Sequence, residues 1–225
     1  MTPPDLPLPP EPEQPARAGL SLPLDIVVAP GRAFLKIART NEWLPALAVT
    51  IGIELVAAYL VLPAIVHLAD RGAPRPTQAE VALVLGFQAL ALPPVAALVI
   101  GAVLTAAARA RDRQAPFMRY FSLAANCGVV SALGDLAHVV AVAVQAPASY
   151  RDQRAFALAL PDNLGLLATA GNDRELGFLS RFTIFDAWAF VLVAYGLSVF
   201  AGVRFTWALT IAFALDFALA FLFSP

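Results

Sequence analysis

Glu54, Asp135, His138 and Asp216 are ionisable side chains set inside long apolar runs, with Gln88 and Asn126 as neutral polar companions. A charge placed at the centre of a membrane helix costs about 2.5–3.5 kcal/mol on insertion scales, so such residues face protein or water and are the first place to look for chemistry. Gly128, Ser131, Asp135 and His138 recur every three or four residues, which puts them on one stripe of a helix. Asp135 and His138 can share a proton or an ion pair, and Glu54 and Asp216 can face them across a bundle. That is the constellation of a proton relay or an ion-binding site. The same groups also act as interhelical hydrogen-bond glue, worth under about 1–2 kcal/mol per bond.

Other chemistries fit the residues less well. Ala132-Leu133-Gly134-Asp135 resembles half of the Gly-x-Gly-Asp motif of intramembrane aspartyl proteases, with Asp216 as the second carboxylate of a proton-sharing dyad. The first glycine and the partner Tyr-Asp motif are missing, and Pro45-Ala46-Leu47 lies at the wrong end of the chain for the Pro-Ala-Leu element. No enzyme is therefore expected. His67 and His138 sit on different spans with no His-Glu-x-x-His or Cys/His cluster, so no metal is expected, and no other cofactor motif is visible. A Gly-x-Ser-x-Gly nucleophile elbow is absent. Cys127, the single cysteine, reads as a small buried thiol.

The elements that must position these residues are membrane helices. The chain of 225 residues is 60% hydrophobic and 14% charged, against roughly 45–50% and 25% in soluble domains. Its net charge of -1 gives no basic footprint for nucleic acid. Apolar runs of about 18 or more residues are long enough to cross a bilayer. Five occur, at about 43–69, 80–108, 121–144, 185–203 and 205–223. The predicted fold class is all-α, a polytopic bundle of five transmembrane helices with short interfacial helices. Pro93-Pro94 should kink the second span, and Ala97 with Gly101 offers a small-residue face for a close helix neighbour.

Residues 1–24 form a proline-rich segment predicted to be a disordered cytoplasmic tail, since each proline removes a donor and fixes φ. Neither a basic start nor an apolar core marks a cleavable signal peptide, so the first span should be its own targeting signal. Residues 25–41 carry Pro30 at a helix entrance, then Ala33, Phe34, Ile37 and Ala38 on one face and Arg32, Lys36 and Arg39 on the other. That pattern predicts an amphipathic helix in the membrane interface, with Arg32, Lys36, Arg39, Arg109, Arg111 and Arg113 near lipid phosphates. Residues 42–225 then form the five-span domain. In the connection from Gln145 to Thr183, leucines and phenylalanines predict short helices packed across the bundle, with Asp173 as a cap. The bias of arginine and lysine places the N-terminus in the cytoplasm and the C-terminus outside it.

The order of these parts is similar to the Ypt/Rab-interacting protein (Yip) family. The residues carrying the resemblance are VVAPGRAFLKI, the Trp43-Leu44-Pro45 entrance, and FLSRFTIFDAWAFVLVAYGLSVFAGVRFTWAL. The last segment has the Phe-Asp-x-Trp start and Tyr-Gly-Leu midpoint of prokaryotic members. The resemblance covers about Val27 to Phe223. It implies membrane residence and little defined chemistry; the alanine- and arginine-rich composition points to a bacterial inner membrane. The expected role is that of a non-enzymatic organiser or adaptor, with other membrane proteins or a second copy of the chain as partners. The eukaryotic Asp-Leu-x-Gly-Pro element is replaced by Thr40-Asn41-Glu42-Trp43-Leu44-Pro45, so the Rab-type GTPase partner implied by the family name is not expected. The alternative, drawn from the intramembrane charges, is a small transporter or an ion- or proton-conducting subunit using the stripe of the third span.

Overall fold

A computed structural model of the chain describes residues 21–69, 76–110, 114–146, 149–150 and 152–222. Among them the regular structure is helical. Two short helices open the chain, α1 (Ser21–Val28) and α2 (Pro30–Thr40). Next come α3 (Leu44–Ala69), α4 (Gln78–Arg109) and α5 (Phe117–Ala143). The connection holds α6 (Gln153–Ala157), a 3-10 turn at Leu164–Leu167 and α7 (Asp173–Leu179), and the chain continues through α8 (Ile184–Ala201) and α9 (Phe205–Leu222).

The helices α3, α4, α5 and α8 are long and apolar enough to cross a membrane. Their limits fall within a few residues of the spans read from the sequence, the largest difference being the earlier start of α5. The fifth apolar run is helical too. At 18 residues α9 reaches about 27 Å, close to the thickness of a hydrocarbon core. Helix continues through Pro63, Pro93 and Pro94. Thr77 starts α4 with a reciprocal capping box to Glu80, and Thr183 starts α8 in the same way with Asp186.

The helices α3, α4 and α5 pack on one another, α8 covers a further face of α5, and α9 lies on α8. Small residues set the closest approaches. A Cβ added to Gly101 would stand 2.8 Å from the Cα of Phe121, so the backbones of α4 and α5 touch where Ala97 and Gly101 present no bulk. Alanine at a helical glycine gains up to about 1 kcal/mol of propensity, whereas overpacking costs about 1–3 kcal/mol. The contacted atom is backbone and has nowhere to rotate. Gly101→Ala is therefore expected to lower stability by about 1–2 kcal/mol, read as a lower thermal midpoint of the protein in detergent; an unchanged or raised midpoint would show that α4 and α5 can part freely.

The N-terminal segments depart from the expectations. α1 begins at Ser21, inside the 1–24 region assigned to the tail, with Leu22, Pro23 and Ile26 buried. Pro23 is the third residue of the helix, in the first turn, where its missing N–H has no intrahelical acceptor in any case. Residues 1–20 lie outside those described. The helix at Pro30–Thr40 forms as predicted, but its apolar face meets protein and not lipid. Ala33, Phe34 and Ile37 join one core with Leu104, Tyr120 and Leu197, and the Phe34 ring lies 5.4 Å from that of Tyr195. Asn41 closes the helix in a left-handed conformation, φ 51°.

The long connection is built largely as the leucine pattern suggested. The cap of α7 is not Asp173 but the residue before it, Asn172, and the Asn172 Oδ1 accepts from the Glu175 N–H. Asn163 organises the middle: its Nδ2 donates to the Ala157 carbonyl at 3.0 Å and its Oδ1 accepts from the Gly165 N–H at 3.0 Å. Tyr150 is buried and donates to the Val142 carbonyl at 2.9 Å, tying the start of the connection to the end of α5. Burial pushes its phenol above the usual tyrosine range.

Candidate functional site

The polar stripe of α5 opens onto a cavity of about 470 Å³ between α3, α4 and α5. Gly128, Ser131, Asp135 and His138 line it from α5, Thr50 and Glu54 from α3, and Gln88 from α4. Helical spacing explains each contribution, since Thr50 and Glu54 are four apart and stack on one face as Ser131 and Asp135 do. Glu54 lies ten residues into α3, about 15 Å along its axis, and Asp135 lies eight residues from the end of α5, about 12 Å. Both carboxyls are therefore deep within the spans.

The side chains of Glu54 and Asp135 approach within hydrogen-bonding reach of each other across the cavity. A hydrogen bond between two carboxyls needs a proton on one of them, which donates to an oxygen of the other, so a pair at this separation can share a proton. Asp135 is surrounded by protein, yet its side chain is open to a water-sized sphere because it fronts the cavity. One turn further along α5, the His138 ring packs edge-on against Phe156 at 5.7 Å, and Phe156 in turn packs against Tyr150. Phe156 belongs to α6 and also lines the cavity. Asp162 lies close enough to act electrostatically on His138 and Asp135, and Asp186 on Asp135.

Of the residues singled out in the sequence, Glu54, Ser131, Asp135 and His138 are brought together. Asp216 falls in α9, which packs on α8, and its side chain lies outside those described. Asn126 has a structural task. Its Nδ2 donates to the Glu42 carbonyl at 2.9 Å and the Ser122 hydroxyl donates to the same oxygen at 2.7 Å, pinning the start of α3 to α5. Gly134, the glycine of the protease-like tetrapeptide, is a packing notch, since a Cβ there would stand 2.7 Å from the Cβ of Phe185 on α8. Cys127 is buried as expected. Thr50, Phe156 and Asp162 were not anticipated. The four-residue spacing to Glu54 was a readable signal for Thr50, whereas nothing local marks the other two.

The basic residues are only partly available to lipid. Lys36 pairs with Asp25 of α1, and the Nε of Arg109 donates to the Ala115 carbonyl at 3.3 Å. Arg32 and Arg39 are exposed on α2. Arg111 and Arg113 lie outside the described residues.

A model of the Yip1 domain matches residues 24–224. The chain belongs to the Yip1 domain family. The match takes in α2, every apolar span and the whole α3–α5 cavity, so this is a multi-pass membrane protein of the Yip family. Neither a curated protein nor a solved structure matches the chain.

Proposed function

We propose that this Yip-family protein is a non-enzymatic bacterial inner-membrane protein that moves protons, or a cation in exchange for them, through the α3–α5 cavity. The observation that supports this reading is the Glu54–Asp135 pair, two neighbouring carboxyls facing a cavity of about 470 Å³ deep within membrane-spanning helices. Intramembrane carboxyls that only glue helices together need no open volume beside them. Here the volume exists, and polar groups of α3, α4 and α5 face it. His138 continues the polar path toward Asp162, and the arginine bias would put that end of the bundle outside the cytoplasm.

A second reading, organiser or adaptor, has its own support. Docking of α2 on the bundle holds Arg32 and Arg39 outward on a fixed face, which suits an acidic partner or lipid phosphates. Measurement separates the two. Reconstituted protein is expected to collapse an imposed pH gradient faster than protein-free vesicles, and Asp135→Asn to remove at least about nine-tenths of that flux, a lower bound set beneath the roughly hundredfold or greater effect of losing a proton-transfer group. Wild-type vesicles as tight as empty ones, or a variant with full flux, would leave the adaptor reading standing.

A further inference from the structure

We infer that the α3–α5 cavity binds a compact organic ammonium ion, its charged head on Glu54 and Asp135 and its apolar group among the alanines, leucines and valines beyond them. This rests on the reading of the cavity as the working site and names the class of solute it takes. Two carboxyls alone would not carry the inference. The independent observation is Thr50, which is 5% exposed and lines the cavity four residues before Glu54. Its Oγ1 is buried without a hydrogen-bond partner. A threonine in a helix ordinarily satisfies its hydroxyl on the carbonyl one turn back, as Thr105 does on Gly101 at 2.6 Å and Thr210 on Thr206 at 3.0 Å. An unsatisfied buried hydroxyl is a standing cost, and a donor arriving in the cavity removes it.

Charge and shape select the class of donor. An ammonium head has three N–H groups and no acceptor. Two carboxyls and a threonine hydroxyl supply three acceptors on adjoining helices, and charge-assisted hydrogen bonds to carboxylate are the strong kind. No lysine or arginine is among the described residues that line the cavity, which disfavours an anion. Most of the remaining wall is apolar, with Leu85, Leu92, Pro93 and Phe156 among its larger side chains, so a bare inorganic cation would leave most of the volume without favourable contact. A cation entering also displaces the proton the two carboxyls share, which would couple solute movement to proton movement.

The test is isothermal titration of the purified full-length protein in detergent with four probes: n-butylammonium, 1-butanol, butyrate and potassium chloride. Saturable binding of butylammonium is expected, with no saturable binding of the other three. Glu54→Gln is expected to weaken butylammonium by about tenfold or more, and Thr50→Val by about threefold to tenfold, the ranges for losing an ion-to-ion hydrogen bond and one from an ion to a neutral hydroxyl. Equal binding of butanol would show a merely apolar hole, and equal binding of potassium would show an inorganic cation site. Either result overturns the inference, as does absence of butylammonium binding or undiminished binding in both variants. The four-probe comparison on the wild type stands even if a variant fails to fold. Failure here leaves proton flux in vesicles intact as a result, and failure of flux leaves ammonium binding intact, so the two readings fall separately.

Discussion

Gly134→Leu is expected to unfold the middle of the bundle and to silence the cavity at the same time. A Cβ at this position would stand 2.7 Å from the Cβ and 2.8 Å from the Cγ of Phe185, atoms too near the α8 backbone to swing away. Overpacking of a tight contact costs about 1–3 kcal/mol, and a leucine adds three more carbons beyond the one that already collides, so the cost belongs at or above the top of that range. The displacement also moves the next residue, Asp135, whose carboxyl must meet Glu54. Gly128→Ala is the control. It lies on the same helix and lines the cavity, but nothing stands within 4 Å of the position its Cβ would take. Alanine there gains up to about 1 kcal/mol of helix propensity, so stability should hold or rise. Thermal unfolding of both variants in detergent decides the matter. A Gly134→Leu protein as stable as wild type would mean that α5 and α8 are not in contact at this point.

Phe34→Ala is expected to release α2 from the bundle. Phe34 is 1% exposed. Its ring packs on those of Tyr195 and Phe200, at 5.4 and 6.2 Å. Truncating a buried phenylalanine to alanine costs about 3–5 kcal/mol, more than a helix of 11 residues can recover from its own hydrogen bonds, since short helices are marginal alone. The loss should appear as local opening rather than global unfolding. Trypsin should cut at Arg32 and Arg39 many times faster in the variant, while the midpoint of the remaining bundle falls less. Unaltered protection would mean that α2 rests in lipid, with its apolar face uncovered by protein.

That experiment probes the point at which sequence reasoning stopped. The alternation of Ala33, Phe34 and Ile37 with Arg32, Lys36 and Arg39 specifies an amphipathic helix and its two faces. It cannot specify what covers the apolar face, because lipid chains and a protein core are the same solvent to a pattern of apolar residues. The cavity was legible in the same partial way. Helical spacing placed Ser131, Asp135 and His138 on one stripe, and the cost of intramembrane charge required that stripe to face something other than lipid. Which helices supply the opposite wall depends on packing order, and packing order was decided by residues with no chemistry of their own. Gly101 lets α4 close on Phe121, and Gly134 lets α8 close on α5. Read alone, Gly134 looked like the remnant of a catalytic motif. Phe156 and Asp162 come from a connection in which position along the chain says nothing about depth in the bundle.

On the proposed reading, Glu54 and Asp135 work as one proton-sharing unit in a membrane-embedded cavity. A double-mutant cycle on proton flux in proteoliposomes tests it most directly, with Glu54→Gln, Asp135→Asn and the double variant compared at equal folded protein. Residues that act as a unit are non-additive. Each single variant is expected to lose at least about nine-tenths of the flux, and the double variant no more than either. Independent losses that multiply in the double variant, or flux that survives both substitutions, would contradict it.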